Sequence, residues 1–187
     1  MTFLAPAALA LIGAIAAALN LSARGGGALL ARLDQLLAEH PIDPSRLELE
    51  ITETALVDDV VRSKTVLADL KELGVHVALD DFGIGYSSLN YLQGLPLDTL
   101  KIDRAFTTDV AANDKNASIV RATLALARGL HLKTVAEGVE TPAQARFLVA
   151  EGCDMLQGFL FSKPLPAADF QAFALASHTY LLSRKIS

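Results

Sequence analysis

Five short apolar runs recur along the chain, separated by longer segments of helical period: LELEIT (47–52), VHVALD (75–80), TLKID (99–103), LKTVAEG (132–138) and CDMLQG (153–158). This alternation predicts βαβ units around a parallel sheet, an α/β fold. Between Ile119 and Leu130, the residues Ile119, Thr123, Leu126 and Leu130 fall on one stripe, as expected of a helix that covers a sheet. The segment ETPAQARFLVAEG predicts a second helix, with Thr141 as N-cap, Pro142 at the first helical position and Gly152 as its stop. RGGG at 24–27 is the one candidate hinge, so a second domain after it is not expected.

Each apolar run ends in a residue that can bind a metal or move a proton: Glu50, Asp80 with Asp81, Lys101, Glu137 and Gln157. In parallel α/β folds the C-terminal strand ends face one rim, so these positions predict a composite site drawn from the whole chain. Any one of them alone is more often a helix cap or a solvated loop residue; five in succession are poorly explained that way. The set suits metal-assisted hydrolysis, because hard cations such as Mg²⁺ and Mn²⁺ take carboxylate and amide oxygens, and an aspartate can bridge a metal pair. Asp80 and Asp81 are placed for that role. No Cys/His cluster has zinc spacing, and neither a serine elbow nor a nucleoside-triphosphate loop occurs.

With 187 residues, 52% hydrophobic and 20% charged, the chain is long and apolar enough for one domain with a sizeable core. A net charge of −5 gives no general attraction for a nucleic-acid polymer. The single cysteine, Cys153, permits no internal disulfide and fits a reducing compartment, so a cytoplasmic location is expected.

LNLSAR, LELEITET, ALDDFGIGYSSLNYLQGLPLDTLKIDRAF and KTVAEGVETPAQARFLVAEGCDMLQGFLFSKPLP follow one another over roughly residues 18–172, and this series resembles the successive blocks of the EAL family, bacterial phosphodiesterases acting on cyclic di-GMP. The resemblance implies a TIM-type (β/α) barrel and hydrolysis of cyclic di-GMP to linear pGpG with two Mg²⁺ or Mn²⁺ ions. It implies Asn20, Glu50 and Asp80 at one metal, with Asp80 bridging to a second held also by Asp81 and Glu137. Lys101, Glu137 and Asp81 are then the expected catalytic residues; Lys101 would orient the attacking water, and Gln157 would complete the substrate and water site. Glu53 and Glu140 would pin the DDFGIG loop with its joints Gly83 and Gly85, and the loop after Asp81 would carry a homodimer contact. Paired aspartates at the mouth of a core strand are tolerable if two dications lie between them and the substrate phosphate.

The family begins with two further elements, an entry strand and a strand bearing the Glu-Ala-Leu signature. This sequence contains no Glu-Ala-Leu, and no acidic residue precedes Asp34. The expectation is therefore a partial barrel of about six of eight strands in residues 20–187, with an incomplete metal site, impaired hydrolysis and a tendency to associate through open sheet edges. Residues 1–19 form a separate apolar segment, with 17 uncharged residues from Phe3 to Leu19. It reads as a core strand or helix, or as an inner-membrane anchor. Two other functions remain: a non-catalytic cyclic di-GMP receptor, and a membrane-tethered interaction fragment.

Overall fold

A computed structural model describes residues 26–40, 42–57, 60–83, 92–166 and 168–173. In chain order they form α1 (Gly26–Glu39), a 3-10 turn (Pro44–Arg46), β1 (Glu48–Thr52), α2 (Glu53–Val57), α3 (Val60–Glu72), β2 (His76–Phe82) and β3 (Thr99–Ile102). α4 (Arg104–Thr107), α5 (Asp114–Gly129), β4 (Lys133–Ala136), α6 (Pro142–Ala150) and β5 (Met155–Leu156) follow. The strands make one parallel sheet in the order β1-β2-β3-β4-β5. Each strand is added outside the last, which is the winding of a barrel arc; a doubly wound sheet would reverse its order. The sixth strand, expected around Asn20, lies outside the described residues, as does the whole apolar segment 1–19.

Alternation along the strands sorts their side chains onto two faces. Leu49, Ile51, Val77, Leu79, Leu100 and Ile102 face the helices and join Leu67 and Leu70 of α3, Val120 and Leu124 of α5 and Leu148 of α6 in one buried core. The opposite face carries Glu48, Glu50, Ala78, Asp80, Thr99 and Lys101 in matching register. There, Thr99 Oγ1 donates to Glu48 Oε2 at 2.6 Å, reaching over β2, where Ala78 leaves room. The fold thus sets an apolar outer layer behind a polar inner one.

Two expectations need correction. The buried stripe of α5 is Ala117, Val120, Thr123, Leu124 and Ala127; of the expected Ile119, Thr123, Leu126 and Leu130, only Thr123 belongs to it. Small alanines let the helix lie close on the sheet, which rotates it by about one residue and leaves Ile119 and Leu126 half-buried at its margin. Nor is 24–27 a hinge throughout, because Gly26 and Gly27 open α1, and a Cβ on the buried Gly26 would stand 2.7 Å from a Val66 methyl. α6 follows its expectation closely: Thr141 and Gln144 form a capping box, Pro142 takes the first turn, and Gly152 turns the chain at φ +82°.

Candidate active site at the strand ends

The inner face converges on one ammonium. Lys101 Nζ lies 2.6 Å from Glu137 Oε1, 2.7 Å from Glu50 Oε1 and 3.2 Å from Asp80 Oδ1, with its side chain only 5% exposed. Glu50 comes from β1, Asp80 from β2 and Lys101 from β3. Glu137 sits just past β4, and its N–H donates to the Ile102 carbonyl, so the ladder continues to the site. Burial alone would push the Lys101 ammonium down; its hydrogen bonds to Glu137 and Glu50 outweigh that and hold the group well above its ordinary value. Burial pushes Glu137 up, and the nearby charges of Asp80 and Glu50 add to that against the pull of Lys101.

Asp81 does not follow the alternation. It adopts φ +56°, and the β2–β3 register breaks between Leu79 and Phe82. Such an irregularity re-aims a side chain that would otherwise point to the helix layer. Burial pushes the Asp81 carboxyl up, and so do Asp80 and Asp103 beside it. Two residues further on, Gly83 has φ +97°, and its N–H donates to Glu53 Oε2 at 3.3 Å. A Cβ there would meet the Phe106 ring at 3.1 Å. Glu53 is buried, and its Oε1 has no hydrogen-bond partner.

Three carboxylates, Glu50, Asp80 and Glu137, thus meet a single ammonium, and Asp81 adds a fourth negative charge next to Asp80. Among the described residues no three Asp, Glu, His or Cys side chains converge in metal-ligating geometry, because Lys101 holds the middle of the group. The donor chemistry still fits a hard divalent cation: every donor is oxygen, negative charge is in surplus, and the buried Asp80 Oδ1 has the Lys101 ammonium at 3.2 Å as its ion-pair partner but no well-formed hydrogen bond.

The segment after β4 completes the rim. Gln157, Glu137, Glu140, Arg104, Gly138 and Phe159 line a cleft beside the ammonium. Gln157 is exposed there, and its backbone bridges Ala136 and Val139. Glu140 pairs with Arg104 Nη2 at 3.3 Å, while the remainder of the DDFGIG loop, including Gly85, lies outside the described residues, as does Asn20. Asp103, Arg104 and Phe159 were not singled out from sequence. Asp103 offered a signal, since it follows Lys101 by two positions at a strand end; it caps α4 through the Ala105 N–H. Arg104 and Phe159 offered none, because an arginine after a cap and an aromatic after a glycine are ordinary.

The family model described as the EAL domain matches residues 5–164. A relative in Pseudomonas aeruginosa, "Cyclic di-GMP phosphodiesterase NbdA", is 52% identical over 130 residues, covering 70% of this chain and 17% of that protein. Among solved structures, "PaMucR Phosphodiesterase, c-di-GMP complex" superposes with a TM-score of 0.76 at 46% identity, over 81% of this chain and 60% of that one. "Klebsiella pneumoniae BlrP1 pH 6 manganese/cy-diGMP complex" does so with a TM-score of 0.67 at 34% identity, over 78% and 36%. The chain thus spans a minor part of the curated relative and less than two thirds of each of these structures' chains.

Proposed function

The chain belongs to the EAL domain family, and from that premise we propose that it is a metal-dependent phosphodiesterase that opens cyclic di-GMP to linear pGpG. The observation that carries the reading is the Lys101 cluster, where Glu50, Asp80 and Glu137 meet one buried ammonium. A purely structural relic has no physical need of it, since buried charge is expensive to keep. Glu50, Asp80, Asp81 and Glu137 would hold two Mg²⁺ or Mn²⁺ ions, with Asp80 shared and Asn20 as a further ligand. When bound, the ions supply polarisation of the phosphoryl group and ionisation of a water.

The chain's own residues do the rest. Lys101, whose ammonium meets three carboxylates, counters their charge and donates a hydrogen bond to orient the attacking water. Water adds to phosphorus, the P–O3′ bond breaks, and the proton lost by water is made good on the 3′-oxygen. Gln157 and Arg104, on the cleft rim, orient the substrate. Glu53, through the Gly83 N–H, keeps the turn after Asp81 in place, and we assign the homodimer contact to the loop that follows.

A second reading rests on a specific observation: no Glu-Ala-Leu occurs in these 187 residues. With one ligand fewer, the chain by itself turns over more slowly than EAL domains that carry the signature, and in the limit acts as a cyclic di-GMP receptor. Titration with cyclic di-GMP in Ca²⁺, followed by Mn²⁺ and chromatography, tests both. Binding followed by linear dinucleotide supports the phosphodiesterase, and binding without product supports the receptor. Turnover equal to that of a domain bearing the signature overturns the impairment; no binding overturns both readings.

A further inference from the structure

Gln144, in the first turn of α6, is 5% exposed, and its amide bonds in two directions. Oε1 accepts from the N–H groups of Glu140 at 2.8 Å and Thr141 at 2.7 Å, and lies 3.0 Å from Thr141 Oγ1. Nε2 donates to the carbonyls of Thr107 at 3.0 Å and Thr108 at 2.7 Å, at the end of α4. Thr107, fully buried, donates its hydroxyl to the Glu137 carbonyl. We infer that Gln144, acting with Thr107, is a positioning residue that ties the Glu137–Thr141 segment to α4 and so sets where the Glu137 carboxylate stands against Lys101.

A capping role accounts for only part of this network. The capping box needs a bond from Oε1 to the N-cap backbone, which glutamate makes as well as glutamine. Donation to Thr107 and Thr108 needs an amide. Those bonds join the segments that flank the site on both sides: α4 starts three residues after Lys101, and the accepted N–H groups belong to residues just after Glu137. Gly138, at φ +64°, has no side chain to stiffen the loop, and a Cβ there would overlap the Arg104 side chain at 2.4 Å. The hydrogen bonds therefore locate Glu137. An error well under the length of a hydrogen bond is enough to spoil a ligand or a contact of this kind.

The inference rests on the phosphodiesterase reading, and its test separates the two. The full chain is compared with Gln144→Glu, Thr107→Val and Thr107→Ser, reading Mn²⁺ affinity by titration of the metal alone, then kcat and KM for cyclic di-GMP and the thermal midpoint. Gln144→Glu preserves the cap and removes the donor; Thr107→Ser keeps the hydroxyl that Thr107→Val loses. Gln144→Glu and Thr107→Val are expected to weaken Mn²⁺ binding and lower kcat by about tenfold or more with KM little changed, and Thr107→Ser to stay within about twofold of the parent. Gln144→Glu at parental affinity and kcat, or Thr107→Ser as poor as Thr107→Val, overturns the positioning role. A parent chain that binds Mn²⁺ without making product sinks only the phosphodiesterase reading, since the metal titration still decides the brace. A parent that binds no Mn²⁺ overturns both. If Gln144→Glu does not fold, the Thr107 pair carries the decision.

Discussion

At the residue scale, Lys101 shows why a buried cation needs its partners and they need it. Its three carboxylates come from β1, β2 and the residue just past β4, and removing the ammonium leaves them facing each other without countercharge. Lys101→Met is expected to lose about 3–5 kcal/mol of stability without divalent ions. Added Ca²⁺ should raise the thermal midpoint of the variant more than that of the parent; equal shifts would show that the carboxylates do not share the ion. A second charge, Asp98, works away from the site. It accepts from Lys71 Nζ at 2.7 Å and from the Val77 N–H at 2.8 Å, and lies 3.3 Å from His76 Nδ1. Burial pushes the carboxyl up, but Lys71, the Val77 N–H and His76 together hold it below the ordinary 3.8. A depressed carboxyl contributes stability that is complete above its unfolded value and lost as pH falls through the folded one. Asp98→Asn should therefore be about 1–2 kcal/mol less stable at pH 7 and lose less on going from pH 5 to 3. Parallel denaturation curves for the two proteins across that range would refute it.

Elements were largely legible, because their signals are local. Thr141 and Pro142 marked the start of α6, and alternation with helical segments marked the parallel strands. The N-cap of α5, Asn113, accepts from the N–H groups of Lys115 and Asn116. Asn113→Ala should destabilise the fold by about 1 kcal/mol without altering cyclic di-GMP turnover; denaturant midpoints and a rate assay on the same samples check both halves. The rotation of α5 was not legible. Large residues suggested one face, but the sheet accepts the face whose alanines permit the closest approach. At β2 the sequence run ends at Asp80, whereas the strand continues through Asp81 to Phe82, because Asp81 before a glycine turn looks like a loop residue in sequence.

For the whole molecule the decisive feature is the arc. Among the described strands β1 pairs only with β2, and β5 only with β4. A parallel edge that no further strand covers presents unpaired backbone groups and invites association. Phe159 and Phe161, exposed just beyond β5, add apolar surface on that side. The chain is therefore expected to run above the mass of a 19.8 kDa monomer in light scattering at micromolar concentration, and a sharp monomer peak would count against both the edges and the proposed dimer loop. No described helix is long and apolar enough to cross a membrane.

What the sequence determined by itself was the set: the parallel strands, the polar residues that end them, and the Thr141 cap of α6. Periodicity and capping act over a few residues, so they survive in the sequence alone. Only the tertiary structure decided that Glu50, Asp80 and Glu137 meet at Lys101, that Asp81 breaks the alternation, and that Gln144 joins α6 to α4. Each of these depends on register between segments some 20 to 50 residues apart, or on one left-handed residue, and neither leaves a periodic trace.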